Sequence, residues 1–291
     1  MIAKLLPPGA DVRCDPLTCT RPLAEIPVAN QPLGSAIRGR IEPLAGAALA
    51  QRVDCWLSLE SLHALAAETA AVLLLGDEEV AWVSPDGERP ANGKRLTADA
   101  ACFRIRYPWD ILRVNELLVG ALTENVILGD LSDRATVEGV LVLGEGSRIL
   151  PGVFIEGNAI IGRNCKIGPN CYLRGSTAIG DNCHIGQAVE VKNAILMERA
   201  AIGHLSYCGD SIIGAGTNFG AGTITANFRH DGTNHRSLVD GQLLDTGRRK
   251  FGAILGDDVH TGIHTSIYPG RKLWPHTSTR PGDVVQRDLV E

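Results

Sequence analysis

Arg174 and Lys192 are eighteen residues apart, and each directly follows an aliphatic residue, Leu173 and Val191. If the chain coils with that period, the two cations stack about 4.8 Å apart along one edge. Like charges so placed repel unless an anion lies between them, and a phosphate is the obvious candidate. Two solvated surface charges are the alternative. His204 lies in residues 202–210, which read IGHLSYCGD. An imidazole beside a corner of the chain could serve as a general base near neutral pH, although a lone histidine is more often structural. Tyr207 is expected to point along the same edge. Asn218 and Asn227 flank a glycine-rich run, residues 219–224. Backbone N–H groups left open by such turns could bind a carbonyl or phosphate oxygen, but glycines are also needed merely to turn a coil.

What would position these residues is a six-residue beat. Val137, Leu143, Ile149, Ile155, Ile161, Ile167, Leu173, Ile179, Ile185 and Val191 are evenly spaced, and glycine follows at 144, 162, 168, 180 and 186. No α-helix or ordinary strand has that period. A coil of three short strands separated by tight corners has it, with about eighteen residues per turn. The register slips by one residue between Val191 and Leu196, and again before Ile213. Residues 227–253 break the pattern with a stretch rich in Arg and His, and such long connections are often functional. The beat then resumes at Leu255, Thr261, Ile267, Leu273, Thr279 and Val285.

The chain has 291 residues, of which 44% are hydrophobic and only 4% aromatic, as a thin aliphatic core would require. A formal net charge of -5 argues against nonspecific nucleic-acid binding. The first residues carry no apolar run long enough for a signal peptide, and the longest purely apolar stretch, Ala70 to Leu75, is too short to span a membrane. The eight cysteines form no C-x-x-C pair. Cys165, Cys171 and Cys183 fall in the small inward slots of the coil and read as reduced packing residues of a cytoplasmic protein.

Residues 1–106 lack the beat. Leu59 to Thr69 reads as a helix, and 70–75 as a buried parallel strand ending in a loop at Gly76-Asp77, which together suggest a small α/β domain. Pro108 opens a linker helix within 107–125, with Ile111, Val114, Leu117, Leu118 and Leu122 at helical spacing. Residues 126–291 form the coil, with 227–253 inserted.

Three strings carry a family resemblance: E-V-K at 190–192, GHLSYCGD at 203–210 and GAGTITAN at 220–227. With them, roughly residues 135–291 resemble the acetyltransferase half of the bifunctional sugar-1-phosphate nucleotidylyltransferase/glucosamine-1-phosphate N-acetyltransferase family, which makes UDP-N-acetylglucosamine. Residues 245–262, DTGRRKFGAILGDDVHTG, look like its archaeal-type branch. The resemblance implies a left-handed parallel β-helix, an exception to the right-handed rule for about 98% of parallel crossovers. It implies acetyl-CoA as acyl donor, no metal and a homotrimer with sites between neighbouring coils. Arg174 and Lys192 match residues holding the sugar phosphate, His204 the base that deprotonates the 2-amino group, and Tyr207 and Asn218 sugar-site residues. Asn227 matches a residue near the acetyl donor, and Ala221 lies where a main-chain group meets the thioester. The family's lysine after the turn at Asp231-Gly232 is missing. His235 stands near its place, with Arg229 and His230 extra, so the acceptor sugar is left open.

Residues 16–22 and 26–33 resemble the start of a sugar nucleotidylyltransferase. The preceding loop, close to G-x-G-T-R in active members, is here Leu6–Arg13, with two prolines that remove N–H donors. Leu23 and Ala24 stand where R-P is usually followed by lysine. Gly76-Asp77 would match the metal-binding G-D motif but arrives early. The front domain is therefore expected to be a shortened remnant without nucleotidylyl transfer. Two other readings of the chain remain: a noncatalytic sugar-nucleotide-binding or scaffold protein, and a metal lyase like the γ-class carbonic anhydrases, with His230 and His235 or His260 and His264 as zinc ligands.

Overall fold

The computed structural model describes residues 3–44 and 48–290. Contacts divide the chain into two units. One holds the residues up to Cys14, Pro22–Ile26 and Gln31–Asp110; the other holds Asp15–Arg21, Pro27–Asn30 and everything from Ile111 onward.

The first unit is α/β. Strands Lys4–Leu6, Ala48–Arg52, Glu78–Ser84, Ala71–Leu75 and Lys94–Thr97 lie side by side in that order, with helices α1 (Leu33–Ile41) and α2 (Leu59–Ala66) in the same unit. Ala71–Leu75 is buried as the sequence suggests, but it runs parallel only to Lys94–Thr97 and antiparallel to Glu78–Ser84. Gly76-Asp77 is the tight turn between those antiparallel strands, with Gly76 at φ +63°. In the Leu6–Arg13 loop, the Gly9 N–H donates to Asp54 at 3.1 Å. Asp54 is fully buried and also accepts from Arg52 (2.8 and 3.0 Å) and Arg104 (2.6 and 3.1 Å). Asp11 of the loop pairs with Arg104 and Arg106.

The second unit is a left-handed parallel β-helix. Among the described residues its three faces carry eight, six and eight strands, beginning at Val126–Ile127, Asp130–Leu131 and Thr136–Glu138. The aliphatic beat fills the interior. Leu143, Ile155, Ile167, Leu173, Ile179, Ile185, Val191 and Ile202 are completely buried. Each such side chain contributes roughly 1.5–3 kcal/mol of hydrophobic stabilisation. Cys165 and Cys183 also point inward and donate to the carbonyls of Gly180 (3.0 Å) and Met197 (3.1 Å) in the next rung. None of the eight cysteines is joined in a disulfide.

Corners fall at residues with left-handed backbone, including Asn164, Asn170, Asn182, Asn193, Asp210, Gly146 and Gly152. Asparagine, aspartate and glycine tolerate this conformation best. Gly186 answers a different need, since an added Cβ would collide with the Gly203 carbonyl of the adjacent rung. Rungs pair eighteen residues apart up to Lys192, as in Leu173↔Val191, and then seventeen apart twice, as in Ile179↔Leu196 and Leu196↔Ile213. These are the two slips seen in the sequence. Ile213 then pairs with Leu255, so the coil resumes directly beyond the insertion.

The insertion is a β-hairpin. Arg236–Val239 runs antiparallel to Gln242–Asp245 across a two-residue Asp240-Gly241 turn, both residues at positive φ. Such turns match the twist of the paired strands. Phe251, fully buried, closes the base by donating its N–H to the Asn227 carbonyl at 3.1 Å.

Residues 15–21 and 27–30 were expected in the front domain but belong to the β-helical unit. Thr20 donates to Asp257 at 2.7 Å, and Arg21 pairs with the same carboxylate and reaches the Met197 sulfur at 3.2 Å. Asn30 donates to the Ile179 carbonyl at 2.5 Å. Helix α3 (Pro108–Gly120) supplies Asn115, fully buried, which accepts from the Ala29 N–H (2.8 Å) and donates to the Ser176 carbonyl (3.0 Å). No helix among the described residues is long and apolar enough to cross a membrane.

Ile167→Ala should destabilise the coil by about 2–5 kcal/mol. The neighbouring outward change Lys166→Ala should stay within about 0.5 kcal/mol. Denaturant unfolding of both variants checks this, and equal losses would contradict an inward-facing beat.

Candidate active site

On the third face, Glu156, Arg174, Lys192 and Gly209 pair in consecutive rungs, and Tyr172, Glu190, Tyr207 and Ile224 form the neighbouring outward row. The two cations therefore stack as their spacing suggests. The repulsion expected between them is already relieved. Arg174 binds the Glu190 carboxylate through Nε and Nη2, both at 2.7 Å. Lys192 binds both oxygens of Asp210, at 2.9 and 2.8 Å. Arg174 Nη1 and one ammonium proton of Lys192 keep no partner among the described residues.

Asp210 is the hub. Its residue is only 2% exposed, so an unpaired carboxylate there would be costly. It also accepts from Asn193 (3.0 Å) and Asn227 (2.5 Å). Asn227 shares its amide with the Tyr207 hydroxyl at 2.8 Å. Tyr207 thus accepts from Asn227, while its own O–H has no acceptor among the described residues. Burial, with Asp210 and Glu190 nearby, pushes its pKa up to about 12, so the phenol stays protonated at neutral pH. The ring lies over Gly209, where a Cβ would overlap both Tyr207 and the Asn227 amide. Asn193 also donates to Glu116 of α3 at 2.6 Å, and Glu116 holds Arg248 at the exit of the inserted hairpin, with one contact at 3.2 Å. Helix, coil and insertion meet through these side chains.

His204 ends the strand Ala201–His204 on the second face, opposite Gln187, and is exposed. Leu205 follows with left-handed backbone (φ 49°), and Tyr207 opens the next strand on the third face. The two residues therefore stand on faces meeting at one corner rather than along a single edge. The His204 carbonyl accepts from the Gly222 N–H at 3.2 Å. The Ala221 N–H beside it has no hydrogen-bond partner among the described residues. Asn218 is exposed on the second face, paired with Ala201 in one neighbouring rung and His260 in the other.

The site residues read from the sequence thus fall into two groups. Arg174, Lys192, Tyr207 and Asn227 gather on the third face. His204, Asn218 and Ala221 lie on the second face or in the turn that follows it. His235 projects into neither group: it is 2% exposed, and its Nε2 meets the Asn227 carbonyl at 2.9 Å. Burial chiefly, and Arg229 further, hold its pKa below the ordinary value of 6.5. Sequence reasoning missed Glu190, Asp210 and Glu116 as partners. The first two lie inside the quoted strings E-V-K and GHLSYCGD, but a carboxylate's partner is a matter of rung pairing and not of the string. Among the described residues no group of three His, Cys, Asp or Glu side chains is gathered as metal ligands would be.

Residues 155–279 match the family described as GMPPB C-terminal domain. A bifunctional sugar-1-phosphate nucleotidylyltransferase/acetyltransferase of Sulfurisphaera tokodaii is 42% identical over 182 residues, which cover 62% of this chain and 45% of that protein. A Methanococcus maripaludis protein named bifunctional protein GlmU is 46% identical over 187 residues, 64% of this chain and 45% of its own length. The family resemblance read from the motifs is borne out by these matches, archaeal proteins among them. The chain spans less than half the length of these relatives. The acetyltransferase domain of PglB from Neisseria gonorrhoeae overlaps 71% of this chain and 68% of its own, at 11% identity and a TM-score of 0.26.

The His235 environment sets a pH dependence. Its folded pKa lies below the unfolded value, so the unfolded chain takes up the proton first. The stability it lends is complete above about pH 6.5 and is lost as pH falls through the window beneath. Between about pH 7.5 and 5.5 the wild type should lose more thermal stability than His235→Gln, which keeps an amide donor and cannot titrate. Parallel melting curves for the two would contradict this.

Proposed function

We propose that the chain is an acetyl-CoA-dependent N-acetyltransferase acting on an amino-sugar phosphate resembling glucosamine 1-phosphate. The observation that carries this reading is the outward stack of Arg174 and Lys192 on the third face, which Tyr207 enters one corner after the exposed His204. The names of the relatives support the acyltransferase class.

The free amine, not the ammonium, attacks a thioester, so a base must take its proton; His204 does this. Negative charge then builds on the thioester carbonyl oxygen, where the open Ala221 N–H is a donor suited to stabilise it. Coenzyme A leaves as a thiol. Arg174 Nη1 and the remaining Lys192 proton face the phosphate, held in place by Glu190 and Asp210. The Tyr207 O–H and the Asn218 amide address sugar hydroxyls. His235 fixes the backbone of Asn227 and so sets the amide that orients Tyr207.

A homotrimer is part of the proposal. Leu205, 63% exposed at the site corner, is an aliphatic side chain suited to burial by a second copy of the chain. Nucleotidylyl transfer is proposed to be lost. In support, the Gly9 N–H and the arginines around the Leu6–Arg13 loop are already engaged by Asp54, Asp11 and Glu78.

Free-thiol release from acetyl-CoA with glucosamine 1-phosphate and related amino-sugar phosphates tests the reading. His204→Ala should lower kcat by about 10²–10⁴-fold, the usual worth of a general base. Unchanged turnover in that variant would remove His204 from the mechanism, and no turnover across the amino sugars would favour a binding or scaffold role. Gly209→Ala should raise KM by displacing Tyr207 and Asn227. Pyrophosphate release from nucleoside triphosphate and sugar 1-phosphate should be absent.

A further inference from the structure

The inserted hairpin and the last rungs of the coil enclose a cleft of about 660 Å³. Phe228, Leu243 and Tyr268 line it, and they are 45%, 52% and 48% exposed. Three large apolar side chains left open around one cleft point to an occupant. Its other lining is cationic, in a chain whose net charge is -5. Arg229 is neutralised by Asp231, at 2.9 Å from its Nε. Arg236 is not: its side chain has no hydrogen bond or ion pair among the described residues, and the His230 ring in the same lining has none either. Arg271 donates to the Arg236 and Pro269 carbonyls at 3.3 and 3.4 Å, and Asp288 lies 3.8 Å from its Nη1. Its guanidinium is thereby held against the Arg236 backbone and paired with the Asp288 carboxylate, which leaves Arg236 as the unpaired guanidinium of the cleft.

We infer that this cleft binds a nucleoside diphosphate group. Arg236 and Arg271 offer planar forks that suit paired phosphate oxygens better than a single point charge would. Lys250 already sits over one face of Phe228, 4.2 Å from the ring centre. The half-exposed ring of Tyr268 is then the platform for a base, and base–aromatic stacking is worth about 1–3 kcal/mol. Ligand clefts of roughly 300–1,000 Å³ take whole cofactor-sized molecules, and a lone sugar phosphate would leave most of this volume unfilled. None of these side chains has a role in the proposed acyl transfer, and a nucleotide sugar bound here would be independent of that reading. The ligand assigned is a nucleotide sugar held as an effector; the nucleotide end of an acyl-CoA donor carries the same chemistry and is the alternative that the test separates.

Calorimetric titration of the full chain with UDP, ADP, coenzyme A and inorganic phosphate tests it. UDP or ADP should bind saturably, with phosphate alone at least tenfold weaker. Arg236→Ala and Tyr268→Ala should each weaken nucleotide binding about tenfold or more, equivalent to about 1.4 kcal/mol, with unchanged melting curves. Displacement of the nucleotide by coenzyme A would make the cleft the donor's and overturn the inference. Nucleotide binding indifferent to saturating coenzyme A assigns it to a nucleotide sugar. Absence of saturable nucleotide binding, or binding that neither substitution weakens, overturns the inference. Thiol release measured on the same samples keeps the outcome separate from that of the acyltransfer proposal.

Discussion

Backbone pairing between successive rungs is the constraint on which everything else in the β-helical unit depends. Each strand of two to four residues hydrogen-bonds to the strand above and below, and no strand is long enough to be stable alone. Fixed register puts Leu173 over Val191 inside and, by the two-residue alternation of a strand, Arg174 over Lys192 outside. The aliphatic interior and the polar ledge are therefore two sides of the same pairing. A slip of one residue would turn Lys192 inward and Val191 into water.

That ledge holds its charge in balance. Two cations are matched by Glu190 and Asp210, and Asp210 alone ties together Lys192, Asn193 and Asn227. Removing one partner of a buried ion pair costs more than the pair contributes, because the other charge is stranded. The network's value is therefore geometric: it points the unused donors of Arg174, Lys192 and Tyr207 in fixed directions before any ligand arrives, the condition for effective positioning. Glu116 extends this order to the hairpin through Arg248.

Much of the coil was legible in the amino-acid sequence. A six-residue beat has no other common cause, and even the two one-residue slips appear as seventeen-residue pairings, because an inward position tolerates little besides an aliphatic side chain. The resumption at Leu255 was readable for the same reason. The partners of Arg174 and Lys192 were not, since carboxylates sixteen and eighteen residues further on become neighbours only after coiling. The hairpin left a local sign in Asp240-Gly241, overshadowed by the polar character of residues 227–253. The direction of the Ala71–Leu75 strand was misread because an apolar run says how deeply a strand is buried and little about the direction of its neighbours. His235 stood near a family lysine in the alignment of motifs, yet its buried imidazole serves the backbone of Asn227.

The clasp formed by Thr20, Arg21, Ala29 and Asn30 has a bearing on how the molecule can be divided. Its residues come early in the chain, ahead of most of the α/β unit, yet Thr20, Arg21 and Asn30 are fastened to coils whose residues come more than a hundred positions later, and Ala29 to Asn115 of α3. Cutting the polypeptide after Asp110 would not release an intact solenoid. The severed piece would carry a flank stripped of its cover: the Asp257 carboxylate without its guanidinium, the Ile179 carbonyl without its amide, and a buried asparagine on α3 with half its bonds gone. Sequence order and structural ownership part company here, and the polypeptide must be kept whole for either half to be studied in its native surroundings.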